Sequence, residues 1–212
     1  MYLPKHFEQH DPLALQTLMR ERSLATVVSV VDGDITANHI PLVFDASAGE
    51  HGILRGHVAR ANPLWLAAQG SAVLAIFQGA QAYISPSWYP SKATTHKVVP
   101  TWNYAVVHAH GQFRAVDQAP WVLDFVSGLT QQHEARLPTP WAVRDAPEDY
   151  VAQMLKAIVG IEIVLNRALV GKWKVSQNHT PENRQGAASG LLSRGRDDTS
   201  AMAALMGERL DK

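Results

Sequence analysis

Cysteine is missing from the 212-residue chain, and this absence excludes several kinds of chemistry at once. Without thiols the chain can form no disulfide framework, no thiolate-ligated zinc or iron–sulfur site, and no cysteine nucleophile. Positive charge is not in excess either, because 19 lysines and arginines balance 19 aspartates and glutamates. A protein that binds DNA on its own usually carries a concentrated positive face, and these totals predict none.

Long apolar runs are also lacking. The longest candidate, residues 157–165, is interrupted by Glu162 and is far shorter than the roughly 20 residues of a membrane-spanning helix. Residues 1–11 have neither the cationic flank nor the apolar run of a signal peptide. The nucleophile elbow of hydrolases, the P-loop and the dinucleotide-binding glycine fingerprint do not occur. We therefore expect a cytoplasmic protein with no membrane partner.

What the chain does contain is a series of short β-type segments separated by turns. Residues 24–31 are rich in β-branched side chains and end at Asp32-Gly33, a hairpin turn from which residues 34–44 return. Further strands are predicted at 52–58, 72–77, 81–85, 101–116, 157–170 and 171–175. Helices are predicted from Pro12, over 61–69, from Pro120 towards His133, and from Pro147 to Leu155.

This pattern predicts a mainly β protein, a β-barrel with peripheral helices, because the helices are too few and too unevenly spaced for repeated βαβ units. We assign residues 1–180 to this barrel domain. From Pro181 the sequence becomes rich in glycine and alanine. Residues 181–212 are therefore predicted to form short helices or a mobile C-terminal tail.

Three clusters carry the residues suited to binding. In the first, residues 54–63, a strand delivers His57 and Arg60 to the start of a helix. Free backbone N–H groups at a helix start and an arginine fork can bind a phosphate. A surface arginine and a partly buried histidine in an ordinary strand-to-helix turn would give the same pattern, so both interpretations stay open.

The second cluster surrounds the proline-rich loop 86–100, with tryptophan and tyrosine concentrated in 83–89 and 99–104. Such side chains suit a flat ring or a second subunit, or an aromatic loop folded over its own core. In the third cluster, residues 172–179, a strand would place Lys172, Lys174 and Ser176 on one face. That face suits an anion, although solvated edge lysines would look identical.

Histidine pairs do not add a metal site. His108 and His110 share a strand face, but no third histidine or carboxylate accompanies them in the pattern. His133 precedes Glu134 at a predicted helix end, where a histidine often interacts with the helix dipole. We therefore predict structural roles for these histidines, no metal ligand, and no catalytic residue.

Several short motifs occur in a characteristic order, at 1–7, 38–41, 56–63, 83–89, 99–104, 133–134 and 176–178. Taken together, they resemble the FMN-binding negative transcriptional regulators of the PaiB type over residues 1 to about 192. The resemblance implies an FMN-binding split β-barrel that forms a homodimer with FMN between the subunits. It also implies negative regulation of transcription, with DNA or a regulatory partner as the target.

The resemblance further implies how an FMN site is assembled. His39 and Pro41 would line the edge of the flavin ring, and His57, Arg60 and Asn62 would meet the phosphate; Trp102, Asn103, Lys174 and Gln177 would close the pocket from the partner chain. The sequence departs from the family pattern after Asn178, where residues 181–184 replace a charged, aspartate-containing stretch.

Other functions remain open at this point. No residue is an obvious catalytic acid or base, so a binding and regulatory role is favoured over an enzymatic one. If the protein is an enzyme, it is an FMN-dependent oxidoreductase in which flavin supplies the redox chemistry. A haem-binding protein, with His57, His108 or His179 as iron ligand, and a purely structural dimerisation module are the remaining alternatives.

Overall fold

The computed structural model describes residues 1–207, so residues 208–212 of the predicted C-terminal tail lie outside the described residues. The strands are β1 Glu8–Gln9, β2 Leu24–Val31, β3 Asp34–Pro41, β4 Val43–Asp45, β5 Ile53–Ala59, β6 Ala72–Ile84, β7 Thr101–Val116, β8 Ile158–Leu165 and β9 Val170–Lys174. The helices are α1 Pro12–Glu21, α2 Leu64–Ala67, α3 Lys92–Thr95, α4 Ala119–Glu134, α5 Glu148–Lys156, α6 Pro181–Leu192 and α7 Asp197–Gly207. None of these helices combines the length and the apolar character needed to cross a membrane.

The described chain divides into two compact units. The terminal unit comprises Met1–Leu18, Gln78–Val107 and the chain from Val170 onward. The central unit comprises Met19–Phe77 and His108–Leu169. β6 and β7 contribute residues to both units, since each strand crosses a boundary between them. The predicted architecture, mainly β with peripheral helices, is confirmed.

The β2–β3 hairpin is the clearest case of local sequence deciding local structure. Asp32 and Gly33 have φ values of 52° and 87°, and a two-residue type I′ turn requires such left-handed backbone at both positions. The antiparallel register that follows pairs Thr26 with His39 and Val30 with Ile35. The hairpin predicted at this dipeptide is confirmed.

In the central unit the strands follow the order β3–β2–β6–β7–β8–β5–β4. The core-facing side chains of β5 and β8 alternate along the strands, and Leu54, Ile161 and Ile163 are fully buried there. Val27 and Phe77 complete the same core from β2 and β6. Burial of each such side chain contributes about 1.5–3 kcal/mol, which makes this core the main source of stability in the unit.

A row of alternating charges crosses the central unit. Glu162 on β8 lies opposite Arg55 on β5 and Arg114 on β7 in the strand register, and both guanidinium groups donate to its carboxylate. Arg55 also donates to Asp45 on β4. A hydrogen bond from Ser47 and the adjacent Arg55 lower the pKa of Asp45 to about 2. The buried Glu162 is thus compensated on both sides, as a buried carboxylate must be.

In the terminal unit β9 pairs with β7 and with β1, and the register places Glu8 opposite Lys172. Trp173 and Val175 face the core, where Tyr89 and Met206 are also buried. The predicted strand alternation of residues 172–175 is therefore confirmed. Ser176 departs from it.

Ser176 follows the end of β9 and has a left-handed φ of 64°. Its side chain is buried and bonds to Asn103. It therefore does not extend the face that carries Lys172 and Lys174, contrary to the prediction.

The prediction of two short strands on either side of Gly79 is wrong, because β6 runs unbroken from Ala72 to Ile84. A side chain at position 79 would meet Leu18 of α1 at 2.7 Å and Ala105 of β7 at 3.2 Å. Gly79 thus allows a helix and a strand to approach closely. Close approach of another backbone is one reason for a glycine within a strand, besides a bulge or a bend.

Two further boundaries differ from prediction. The strand predicted at 34–44 is divided at Leu42, whose side chain is buried and whose N–H donates to the carbonyl of Ser23. The helix predicted over 61–69 is limited to α2, since Pro63 precedes it and Asn62 accepts from the N–H of Leu64. Of the two alternatives for the C-terminal segment, the described part is helical and forms α6 and α7.

Helix α6 holds the aromatic loop of the terminal unit. Gly186 and Gly190, one turn apart, leave room for Trp88, because a Cβ at either position would overlap that residue. Asn183 of the same helix exchanges two hydrogen bonds with Ser91, at 2.9 Å and 3.2 Å. The start of the 86–100 loop is therefore fixed by packing and by polar contacts.

This packing predicts opposite effects for the same substitution in two helices. Gly186→Ala places a methyl group against the backbone carbonyl of Trp88 and should lower the free energy of unfolding by about 2 kcal/mol. Gly128→Ala in α4, where a Cβ meets nothing within 4 Å, should raise it by about 0.5–1 kcal/mol. Urea unfolding measures both, and equal effects in the two variants would contradict the packing described.

Candidate functional site

The nine residues predicted to bind the cofactor fall into two groups. Those in the central unit are His39, Pro41, His57, Arg60 and Asn62. Those in the terminal unit are Trp102, Asn103, Lys174 and Gln177.

In the central unit the amide of Asn62 is already used for structure. It donates to the side chain of Asn38 at 2.9 Å and caps the N–H of Leu64 at 3.0 Å. His39 is exposed on β3, with its Nδ1 3.1 Å from the hydroxyl of Thr26, and Pro41 is exposed at the end of the same strand. His39 and Pro41 are therefore accessible, whereas Asn62 is engaged.

Arg60 is fully engaged as well. Its guanidinium forms a bidentate pair with Asp117 at 2.6 Å and 2.8 Å. It also donates to the carbonyls of Lys156 at 2.7 Å and Ile158 at 3.2 Å. The guanidinium holds the pKa of Asp117 below its usual value. A phosphate would have to displace this carboxylate in order to reach Arg60.

His57 is packed against α4. Its ring lies edge-on to Phe125, with the centroids 6.0 Å apart, and its Nδ1 is buried with no hydrogen-bond partner among the described residues. Burial lowers the pKa of His57 and favours the neutral imidazole. Burial thus disfavours the charged ring that would attract a phosphate.

In the terminal unit, Asn103 and Gln177 have structural partners. Asn103 is buried and exchanges hydrogen bonds with Ser176 at 2.9 Å and 3.2 Å. Gln177 donates to the carbonyl oxygens of Trp173 at 2.5 Å and His6 at 2.9 Å. Both side chains stabilise the chain after β9.

Trp102 and Lys174 differ from these residues because they lie on an outward-facing surface, which we call the β7–β9 face. Trp102 is 49% exposed, packs edge-on to Tyr83 at 6.2 Å, and donates from its indole to Gln81 at 3.1 Å. Lys174 donates to the hydroxyl of Thr101 and to the carbonyl of Trp102. The backbone carbonyl of an exposed aromatic residue thus lies beside a cation.

Lys172 is the second cation of the β7–β9 face and was not among the predicted site residues. It is only 7% exposed, and its ammonium lies 5.2 Å from the ring centroid of Tyr104, 5.6 Å from Tyr2 and 6.0 Å from Phe7. Its hydrogen-bond acceptor is the carbonyl of Tyr2, at 3.0 Å. Aromatic rings and one carbonyl therefore replace water around this group.

Neither lysine has a carboxylate within 4.0 Å in the part of the chain that the structure describes. Glu8 lies opposite Lys172 in the strand register, but its carboxylate pairs with His10 at 2.8 Å. Burial lowers the pKa of Lys174, and the nearby charge of Lys172 acts in the same direction. We call Lys172 and Lys174 the uncompensated lysine pair.

The sequence itself contains a signal for this pair, namely two long stretches without acidic residues. No aspartate or glutamate occurs between Glu50 and Asp117, or between Glu162 and Glu182. The strands β7 and β9 lie within these two acid-free stretches. The balance of charge over the whole chain therefore concealed a local excess of cations.

Metal-binding geometry does not emerge from the described residues, in which no group of three potential ligands comes together. His108 and His110 lie next to each other, with ring centroids 6.2 Å apart. Burial lowers the pKa of both rings. The structural role of these two histidines stays a prediction.

Comparison with known proteins decides the family. A family model described as "Putative FMN-binding domain" matches residues 1–167. The chain belongs to this FMN-binding family. FMN is accordingly its cofactor, as the resemblance in the sequence implied.

Two relatives extend the similarity over the full length of this family member. Protease synthase and sporulation protein PAI 2 of Bacillus subtilis is 30% identical over 213 residues, which cover 100% of this chain and 99% of that protein. An uncharacterized protein of Emericella nidulans is 34% identical and covers 99% of this chain and 97% of its own length. The PaiB-type resemblance is confirmed.

A solved structure agrees on the fold. The FAD and heme binding protein from Mycobacterium smegmatis superposes with a TM-score of 0.57 over 79% of this chain and 73% of that one, at 15% identity. A likeness at this identity concerns the fold alone. The predicted class, an FMN-binding split barrel with peripheral helices, is confirmed.

The residues of the β7–β9 face fit the cofactor of this family. FMN combines a flat ring with a phosphate of nearly two negative charges. The face supplies an exposed indole, the hydroxyl group of Thr101, and two ammonium groups that have no carboxylate partner among the described residues. No comparable set of free cations occurs among the five predicted residues of the central unit, where Arg60 is paired with Asp117.

This geometry yields a prediction for Arg60, which the sequence assigned to the phosphate. Because its N–H groups are engaged, Arg60→Gln should leave the ratio of FMN to riboflavin affinity unchanged. Fluorescence titration with both flavins measures this ratio. A tenfold loss specific to FMN would instead put Arg60 on the phosphate.

Proposed function

We propose that the protein is a PaiB-like negative regulator of transcription that acts in the cytoplasm as a homodimer with FMN bound at the β7–β9 face. The observation that carries this proposal is the uncompensated lysine pair, of which Lys174 contacts the backbone of Trp102, a residue with an exposed ring. Membership in the FMN-binding family and similarity to a PaiB-type relative support it.

The phosphate of FMN would lie at Lys174. This ammonium is half-buried, so a dianion would interact with it through less water than at a fully exposed lysine. Thr101, which already accepts from Lys174, offers a hydroxyl to the same anion. Lys172, two residues away on the same face of β9, adds a second positive charge.

The flavin ring would stack on Trp102. Gln81 holds the indole N–H, and Tyr83 supports the ring from its edge, so the indole is oriented before any ligand arrives. Flat rings such as flavin stack on exposed aromatic side chains. Because the indole is already oriented, its ordering on binding costs little side-chain entropy. Bound FMN would supply redox chemistry, while the protein supplies binding and orientation.

A homodimer would complete the site, with His39 and Pro41 of one protomer near the flavin ring and the β7–β9 face contributed by the other. The outer side of the β2–β3 hairpin supports this arrangement. Leu24, Val30 and Ile35 are 62%, 56% and 77% exposed there, and the strand register puts them on the same side as His39. Exposed apolar side chains in a row are typical of an interface.

Regulation is favoured over catalysis because the charged groups found on the β7–β9 face of the described chain are lysines, and no carboxylate is positioned to act as an acid or base. The described terminal unit carries eight lysines and arginines against five aspartates and glutamates. This excess is modest, so the proposal leaves DNA and a regulatory protein both as targets.

The cofactor part of the proposal is tested with Lys174→Gln. Loss of a charge-assisted contact should weaken FMN binding about tenfold or more and leave riboflavin, which lacks the phosphate, unaffected. Trp102→Ala should weaken the binding of both FMN and riboflavin. Lys97→Gln, in the exposed loop of the same unit, is the matched control and should change neither.

The same variants test the regulatory part in cells. Deletion of the gene should raise a defined set of transcripts, and wild-type protein or Lys97→Gln should restore their repression. Lys174→Gln should restore it only at raised expression. If no transcript responds to the deletion, the regulatory role is refuted while FMN binding stands.

The homodimer is tested with Ile35→Lys. Placing a charge on the apolar outer side of β3 should shift the protein from dimer to monomer in sizing chromatography coupled to light scattering. Lys substitution at the exposed Leu192 of α6 serves as the control. A wild-type protein that is monomeric at micromolar concentration would rule out this part of the proposal.

A further inference from the structure

The amino-terminal end of the chain covers Lys172. The carbonyl of Tyr2 accepts a hydrogen bond from this lysine at 3.0 Å, and the Tyr2 ring lies 5.6 Å from its ammonium. Tyr2 itself is 84% exposed, so few contacts hold it in place. We call Met1, Tyr2 and Leu3 the amino-terminal tip.

The chain immediately after the tip is firmly attached. The N–H of Phe7 bonds to the carbonyl of Pro4 at 2.8 Å, and the Phe7 side chain is buried. Gln177 donates to the carbonyl of His6 at 2.9 Å, and Glu8 and Gln9 pair with β9. The tip can therefore move away from Lys172 while the residues from Pro4 onward keep their contacts.

The buried ammonium of Lys172 has no carboxylate partner among the described residues, so it can donate to a stronger acceptor than the carbonyl that it contacts. Lys172 has three N–H donors, of which the Tyr2 carbonyl uses one. A neutral carbonyl is a weaker acceptor for an ammonium than a phosphate dianion is. Lys172 is only 7% exposed and one of its N–H groups is bonded to the Tyr2 carbonyl, so an anion that takes this N–H displaces the tip.

We propose that the amino-terminal tip is a gate that closes over Lys172 in the free protein and is displaced by the phosphate of FMN. The Tyr2 carbonyl holds the position that a phosphate oxygen takes, and Tyr104 keeps its contact with the ammonium in both states. This inference rests on the proposed function, since it concerns the phosphate end of the same site. It adds that cofactor binding releases a segment of the chain.

The absence of cysteine makes the gate directly observable. Leu3→Cys introduces a single thiol, to which a nitroxide spin label can be attached. The label should be immobilised in the free protein and become mobile when FMN is added. Riboflavin, which has the ring but not the phosphate, should leave it immobilised. Inorganic phosphate at millimolar concentration should mobilise it in part.

A second variant measures the same gate through affinity. Tyr2→Gly removes the ring that lies over Lys172 and should strengthen FMN binding about three- to fivefold, without affecting riboflavin. Tyr2→Phe keeps the ring and is the matched control. The full-length chain is used throughout, and because Tyr2 is exposed its substitution leaves the core intact.

The outcomes separate the gate from the site. If FMN binds with unchanged label mobility and equal affinity in wild type and Tyr2→Gly, the gate is refuted and the proposed FMN site stands. If riboflavin mobilises the label as well as FMN does, the phosphate is not what moves the tip, and the inference is overturned. If neither protein binds FMN, the proposed function fails and the gate fails with it.

Discussion

Removing an ammonium group from water costs several kcal/mol unless other groups take the place of its hydration shell. In the described part of the terminal unit, three aromatic rings and one backbone carbonyl meet this constraint at Lys172, and no carboxylate contacts it. Two of those rings, Tyr2 and Phe7, come from the amino-terminal segment. The amino-terminal segment therefore helps to stabilise the charge of Lys172 on β9.

The central unit meets the same constraint in the opposite way. There a buried carboxylate, Glu162, lies between Arg55 and Arg114 and is fully compensated. Arg60 is likewise paired with Asp117. The paired charges of the central unit hold strands and turns together, whereas Lys172 and Lys174 on the β7–β9 face have no carboxylate partner among the described residues.

Much of the fold could be predicted from the sequence, because residues that are adjacent in the chain determine it. The Asp32-Gly33 turn sets a hairpin by its backbone conformation, and the β-branched run of β2 needed no tertiary information. Gly79 was misjudged because its role depends on Leu18, a residue sixty-one positions away that only the folded chain brings near. Ser176 was misplaced for a similar reason, since a left-handed residue ends the alternation of β9.

The candidate site was predictable only in part. Trp102 and Lys174 were recognised from their residue types, and the structure leaves both accessible. Arg60 and Asn62 have equally suitable types, but their partners, Asp117 and Asn38, could not be read from spacing. Lys172 belonged to a recognised cluster, yet its missing counter-ion became visible only after the strands were paired.

The packing of Trp88 against α6 bears on how much of the chain the functional domain includes. The family match ends at residue 167, before β9 and α6 begin. A chain ending there would lack both lysines of the β7–β9 face, and the indole of Trp88 would lose the glycine surface that receives it. The family match is thus shorter than the segment that carries the proposed site on the β7–β9 face, which includes β9.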